Sequence, residues 1–314
     1  MKLELRPLSA GEILDRTFQL FRARFGVFVG IATLGALIRT AGSALQTFTL
    51  RYLNHHGYGH AVAAIWTGSS MIASIATSLL AYSLVFAAIT AVVTRLHFGN
   101  PTGVFEAYRE IWPRWFRYVR LSVVMGFLSF WPMLLVVGFL GADIALAPRF
   151  SARTAPLATG VFGFTMLGML VVIPVCIWLL CRYGLAWAAC VVEDLKVWRS
   201  LKRSVSLSKG FRWRVFLLFL LVYVVEMILA ASLMAPTYVF LARAHGHYSV
   251  GMLAYQLALG FVVAALISPL YGIGLTVIYL DARIRKEGYD IELSMQQSAA
   301  VPGLPADPSD PITA

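Results

Sequence analysis

The chain has 314 residues, of which 59% are hydrophobic and 13% charged, and its mean hydropathy is +0.76. Soluble domains carry about 25% charged residues, so an ordinary soluble protein is excluded. At about 20 apolar residues per crossing, the hydrophobic content furnishes about six to eight membrane spans and leaves no room for a soluble catalytic domain beside them. The 26 Lys and Arg against 15 Asp and Glu give a net +11, which in a membrane chain is first a topology signal rather than a sign of nucleic acid.

The first predicted element opens on a capping box, Ser9 followed by Glu12, in which hydroxyl and carboxylate satisfy exposed backbone donors reciprocally. Ile13, Leu14, Phe18, Phe21, Phe25 and Phe28 recur at helical spacing, with Arg16, Arg22 and Arg24 on the flanks, which predicts an amphipathic helix lying in the interface. No apolar run precedes about Phe25 and no small-residue cleavage site follows one, so this end is read as uncleaved and cytoplasmic. A second such helix follows Asn100-Pro101, with Val104, Phe105, Tyr108, Ile111, Trp112, Trp115 and Phe116 among Arg109, Arg114 and Arg117. A third follows Glu193-Asp194, with Val197, Trp198, Leu201 and Val205 among Arg199, Lys202 and Arg203.

Six apolar stretches run at about 25–48, 64–94, 119–147, 158–192, 214–241 and 250–280, each long enough to span. Segments 1–24, 95–120, 193–214 and 281–314 hold five, five, seven and three Lys/Arg, against one, two and one in 49–63, 148–157 and 242–249. The asymmetry places both termini in the cytoplasm and requires an even number of spans. The fold class is therefore an all-α, polytopic membrane protein of six transmembrane helices with cytoplasmic amphipathic helices. Units starting near residues 9, 102 and 194 suggest a threefold repeat of two spans each, related by an axis along the membrane normal. Residues 1–293 form the membrane domain, and the Pro-containing segment 294–314 is expected to be a disordered cytoplasmic tail.

Ionisable groups inside spans carry a free-energy cost and need a partner, water or a function. Arg182 and Glu226 lie at matched depths in consecutive spans, which predicts an intramembrane ion pair. Arg39 is expected to snorkel outward. Gly26 and Gly30, and the small face Ser70, Ser74, Thr77 and Ala81, are read as helix-packing surfaces. Pro132, Pro174, Pro236 and Pro269 either kink spans or mark their ends. Five of the six histidines, His55, His56, His60, His245 and His247, fall in predicted external loops without accompanying carboxylate or thiol, and no metal site is assigned. The three cysteines, Cys176, Cys181 and Cys190, share one apolar stretch and indicate neither a disulfide framework nor a metal motif. No HExxH, GxSxG, Walker loop or strand-to-helix GxGxxG occurs, so no catalytic residue and no cofactor is assigned.

Three segments carry a family resemblance: Arg6-Pro7-Leu8-Ser9-Ala10-Gly11-Glu12-Ile13-Leu14-Asp15-Arg16; Val192-Glu193-Asp194 with Arg203-Ser204 and Lys209-Gly210; and Tyr279-Leu280-Asp281-Ala282-Arg283-Ile284-Arg285-Lys286-Glu287-Gly288-Tyr289-Asp290. Together they resemble the bacterial glycerophosphoryl diester phosphodiesterase membrane-domain family, over nearly all of residues 5–293. The resemblance implies a stand-alone membrane domain of a bacterial cytoplasmic membrane. The phosphodiesterase activity in the family's name belongs to a separate soluble barrel and is not transferred. The resembling charged positions, Glu12, Asp15, Arg16, Glu193, Arg203, Asp281, Arg283, Arg285 and Asp290, are expected to form a cytoplasmic salt-bridge network tying the N-terminal helix, the central segment and the last span together. The leading functional expectation is a non-catalytic membrane protein supporting an envelope- or lipid-related process. Its expected partners are membrane lipids, including anionic inner-leaflet headgroups, and an unidentified membrane or cytoplasmic protein, with no nucleic acid. The alternative is a transporter or lipid-handling protein that uses the intramembrane charges.

Overall fold

A computed structural model describes residues 8–97, 102–146, 155–243 and 249–288. Every regular element in them is helical. Ten α-helices follow one another: α1 (Ala10–Ala23), α2 (Phe25–His56), α3 (His60–His97), α4 (Val104–Ile111), α5 (Trp115–Leu146), α6 (Ala155–Tyr183), α7 (Ala186–Val192), α8 (Val197–Ser208), α9 (Arg212–Arg243) and α10 (Val250–Glu287), with a 3-10 turn at Trp112–Arg114. Six of them, α2, α3, α5, α6, α9 and α10, are long and apolar enough to cross a membrane. The chain is a multi-pass, all-α membrane protein.

The six long helices pack in a closed order: α2 on α3, α3 on α5, α5 on α6, α6 on α9, α9 on α10, and α10 back on α2. The short helices α1, α4, α7 and α8 gather at one end, the basal end. α1 buries Ile13, Thr17 and Leu20; α4 buries Ala107 and Ile111; α8 buries Val197, Ser200, Leu201, Ser204, Leu207 and Ser208. These residues recur every three or four positions, so each short helix turns one face onto the bundle.

The expected capping box is present: Ser9 Oγ accepts from the Glu12 amide at 3.3 Å, and Glu12 accepts from the Ser9 amide at 2.6 Å. One element was not foreseen. The apolar run 158–192 is not one helix, because a turn at Gly184 and Leu185 breaks it into α6 and α7. α7 consists mainly of small residues and is enclosed throughout Ala186–Cys190. It plugs the basal end between α3, α8 and α10.

Small residues allow α2 and α3 to run in close contact. A Cβ placed on Gly42 would collide with Thr77 and come within 3.4 Å of the Ser74 Cα, and one on Gly35 within 3.4 Å of the Ala81 carbonyl, so of the expected face Ser70, Ser74, Thr77 and Ala81 the last three pack against α2. Of the Gly26/Gly30 pair only Gly30 meets a neighbour, the Val104 side chain of α4. Pro132, Pro174, Pro236 and Pro269 all lie inside helices rather than at their ends.

The order short helix, span, span does recur, with α1, α4 and α8 starting 94 and 93 residues apart. The three copies do not share an environment. In its most apolar window α10 is 67% buried, whereas α6, in the same place of the second copy, is 11% buried. Three equivalent copies would be enclosed equally.

Candidate functional site: a charged basal end and an intramembrane cavity

The basal end is held by carboxylates that face inward. Asp281, near the foot of α10, has a side chain only 1% exposed. It accepts from the Leu8 amide at 2.8 Å, from Arg214 of α9 at 2.6 Å, and from Arg285 Nε one helical turn along at 3.2 and 3.3 Å. Arg214 and Arg285 also donate to the Leu8 carbonyl, at 3.1 and 2.7 Å. The residue preceding the α1 cap is thus gripped through both its backbone groups by the first turn of α9 and the last turns of α10.

A second knot surrounds Glu193, at the end of α7. Arg203 of α8 donates to it through Nε at 3.0 Å and through a terminal nitrogen at 2.9 Å, Arg283 approaches to 3.6 Å, and the hydroxyl of the enclosed Tyr279 donates to it as well. Arg203 continues to Glu287 at 2.5 Å, and Glu287 receives Arg283 at 3.2 Å. Burial alone would lower the Arg203 pKa, but Glu287 and Glu193 hold it above the ordinary arginine value, so it remains the cationic bridge between them. Beside the knot, Lys286 Nζ donates to the carbonyls of Ser206, Leu207 and Lys209, at 3.0, 3.1 and 2.7 Å, and closes the C-terminus of α8.

Further bridges pin the second short helix. Asp194, at φ +51° between α7 and α8, accepts from Arg117 and from Arg114 at 2.9 Å, and Arg95 of α3 meets Glu110 of α4 at 2.9 Å. An aspartate tolerates the left-handed backbone better than most residues.

Of the expected network, Glu193, Arg203, Asp281, Arg283 and Arg285 are brought together, in two knots rather than one. Glu12 closes its own helix, Arg16 reaches Gln19 in the same helix at 3.5 Å, Asp15 is exposed, and Asp290 lies outside the described residues, as does the tail 294–314. The expected network does not include Arg214, Tyr279, Lys286 or Glu287, which the structure adds to it. Four-residue spacing was the available signal: 279, 283 and 287 form one stripe of α10, and 281 and 285 another.

The expected Arg182–Glu226 ion pair is not formed. The Arg182 guanidinium lies 5.2 Å from the Trp178 ring centre and 5.7 Å from that of Tyr183, and its backbone carbonyl accepts from Ser204 of α8. Matched depth requires that the helix carrying Arg182 run unbroken to Glu193. With α6 ending at Tyr183 and the chain turning into α7, Arg182 sits at the basal level, whereas Glu226 is 14 residues beyond the start of α9, about 21 Å higher.

Glu226 instead lines a small cavity between α2, α3, α9 and α10, with Arg39, Tyr82, Ser268 and Tyr271 among its walls. Arg39 is 14 residues beyond the start of α2, which is the depth of Glu226 in α9. It does not extend outward as expected; it turns inward and donates to the Gly260 carbonyl of α10 at 2.8 Å. The arginine that shares the Glu226 cavity is thus on α2 rather than α6, because the bundle closes α10 onto α2.

At the far end, His55 and His56 finish α2 beside Tyr52 and Tyr58, with the His56 and Tyr52 ring centres 4.2 Å apart. The His60 side chain, His245 and His247 lie outside what is described. Among the described residues no group of three or more His, Cys, Asp or Glu is placed to hold a metal.

Comparisons with protein-family models, with curated proteins and with solved structures found no match. The functional reading therefore rests on the geometry.

Proposed function

We propose that the chain is a non-catalytic module of a bacterial cytoplasmic membrane, with both termini inside, which supports an envelope- or lipid-related process through its basal end. The observation that carries this reading is the separation of charge at that end. Asp281 and Glu193 turn inward onto arginines, while Arg109, Arg199 and Lys202 point outward beside the exposed rings of Phe105, Trp112 and Trp198. Outward cations among exposed aromatic rings suit a negatively charged leaflet, where each cation contributes about 1 kcal/mol and the rings settle at headgroup level. The enclosed half of α10 supports a module more than a conduit, since its side chains are buried against α2, α3 and α9.

The second reading, a transporter or lipid-handling protein, is favoured by the Arg39–Glu226 cavity, because charged groups at mid-depth often mark a pathway. Proteoliposomes separate the two. The module reading expects enrichment of phosphatidylglycerol around the protein that falls when Arg109, Arg199 and Lys202 are changed to Gln, and no proton flux or headgroup translocation above protein-free vesicles. Flux abolished by Glu226→Gln would replace it with the second reading.

A further inference from the structure

Two half-buried arginines at the basal end share one aromatic ring and, among the described residues, meet no carboxylate. Arg182, in the last turn of α6, and Arg212, the first residue of α9, each lie 5.2 Å from the ring centre of the same side chain, Trp178. By that geometry their guanidinium carbons are no more than about 10 Å apart. Neither forms an ion pair or a side-chain hydrogen bond among the described residues, and the Nε of each is enclosed without an acceptor. Six other arginines at this end do meet carboxylates, Arg203, Arg214, Arg283 and Arg285 on the inward acids and Arg114 and Arg117 on Asp194, whereas Arg109 and Arg199 are exposed.

Two like charges drawn to one ring repel each other, and a charged donor enclosed without an acceptor carries a substantial cost. Their cation–π contacts with Trp178 hold them in place without neutralising them. The terminal nitrogens of both guanidinium groups are unbonded and not enclosed, so the donors that remain face the surroundings. Trp178 is 44% exposed and Trp213, next to Arg212, is 66% exposed, which puts the pair on the outer wall of the bundle rather than in its core. Its height is that of the start of α9, where the chain leaves the basal layer for the spans. The first amides of α9 add partial positive charge at the same place.

We propose that Arg182, Arg212 and Trp178 form a discrete site for one phosphate group, and that the group is the phosphodiester of an anionic lipid whose acyl chains lie along α6 and α9. Planar guanidinium forks match phosphate oxygens, and the exposed indole faces the glycerol region. The site deepens the module reading, since it depends on the basal end facing an anionic leaflet, but it is separate from the outward cations of α4 and α8.

The test is native mass spectrometry of the intact chain in detergent, titrated with phosphatidylglycerol, phosphatidylcholine or inorganic phosphate. The expected result is one saturable phosphatidylglycerol per chain, little retention of phosphatidylcholine, and at least tenfold weaker phosphatidylglycerol binding in R182Q/R212Q. R182K/R212K keeps the charge but loses the fork and the stacking, and is expected to weaken binding as well; it serves also if the Gln pair does not fold. Neutralising Arg109, Arg199 and Lys202 should leave the single retained lipid in place. Displacement by inorganic phosphate at equal concentration would assign the site to free phosphate instead of lipid. Equal retention of both lipids by the unaltered chain, or full binding in both double variants, would overturn the proposal. Loss of general phosphatidylglycerol enrichment in the triple variant with the single lipid still bound would uphold both readings. The site without any general enrichment would uphold this one alone.

Discussion

Asp281 is a buried anion with three donors, and each donor comes from a different part of the chain: the Leu8 backbone, Arg214 and Arg285. Cutting the side chain back to Ala leaves Arg214 and the Leu8 amide without their acceptor in an enclosed place. Breaking a buried ion pair from one side costs about 3–5 kcal/mol. Asp281→Ala is therefore expected to lower the detergent melting temperature and to expose α1 to protease before the rest of the bundle. Unchanged melting together with unchanged cleavage would show that the knot is dispensable. That Asp281 matters was legible in the sequence, because an acid beside basic residues at the foot of a span needs a partner. That Arg214 is the partner was not, since it lies 67 positions away, at the start of another span, among seven basic residues in one segment. The Arg39–Glu226 cavity was hidden for the same reason: equal depth is readable from helix lengths, while adjacency depends on how the bundle closes.

Among elements, the spans were readable because an apolar run of twenty or more residues has few other outcomes. The break before α7 was not, because Gly184 is one small residue in an apolar run and hydropathy does not register a turn that is itself buried. Helix contacts are more exacting than helix existence. At Gly274 an added Cβ would lie 2.5 Å from Leu218 Cδ1 and 2.6 Å from Cδ2, in the contact between α10 and α9. Gly274→Val must push the two helices apart or force Leu218 from its rotamer, at a cost of about 1–3 kcal/mol. A fall in the melting temperature that is partly recovered by adding Leu218→Ala would place the strain in this contact. No recovery would place it elsewhere. The short helices were legible as amphipathic segments, and their buried faces agree with the periodicity. Which charges fix them to the spans followed from tertiary closure and was only partly readable.

For the whole molecule, the six long helices bring both described ends of the chain, Leu8 and Gly288, to the basal end. With 20 of the 26 basic residues in segments read as lying on that side, this end is expected in the cytoplasm. Single cysteines introduced at Asp15 and at Gly59, with the three native cysteines replaced, test it in intact cells with an impermeant maleimide. Labelling should occur at position 59 at once and at position 15 only after permeabilisation; the reverse pattern would invert the topology. The place of α10 has a consequence for biosynthesis. It is the last described helix to leave the ribosome, yet it is the most enclosed of the spans and supplies Asp281, Tyr279 and Glu287 to both knots. The five earlier spans must then enter the membrane with the faces of α2, α3 and α9 uncovered and α1 untethered until α10 arrives. Insertion can proceed from the N-terminus onward, but consolidation waits for α10, so chains interrupted before it present uncovered helix faces and unpaired arginines to quality control.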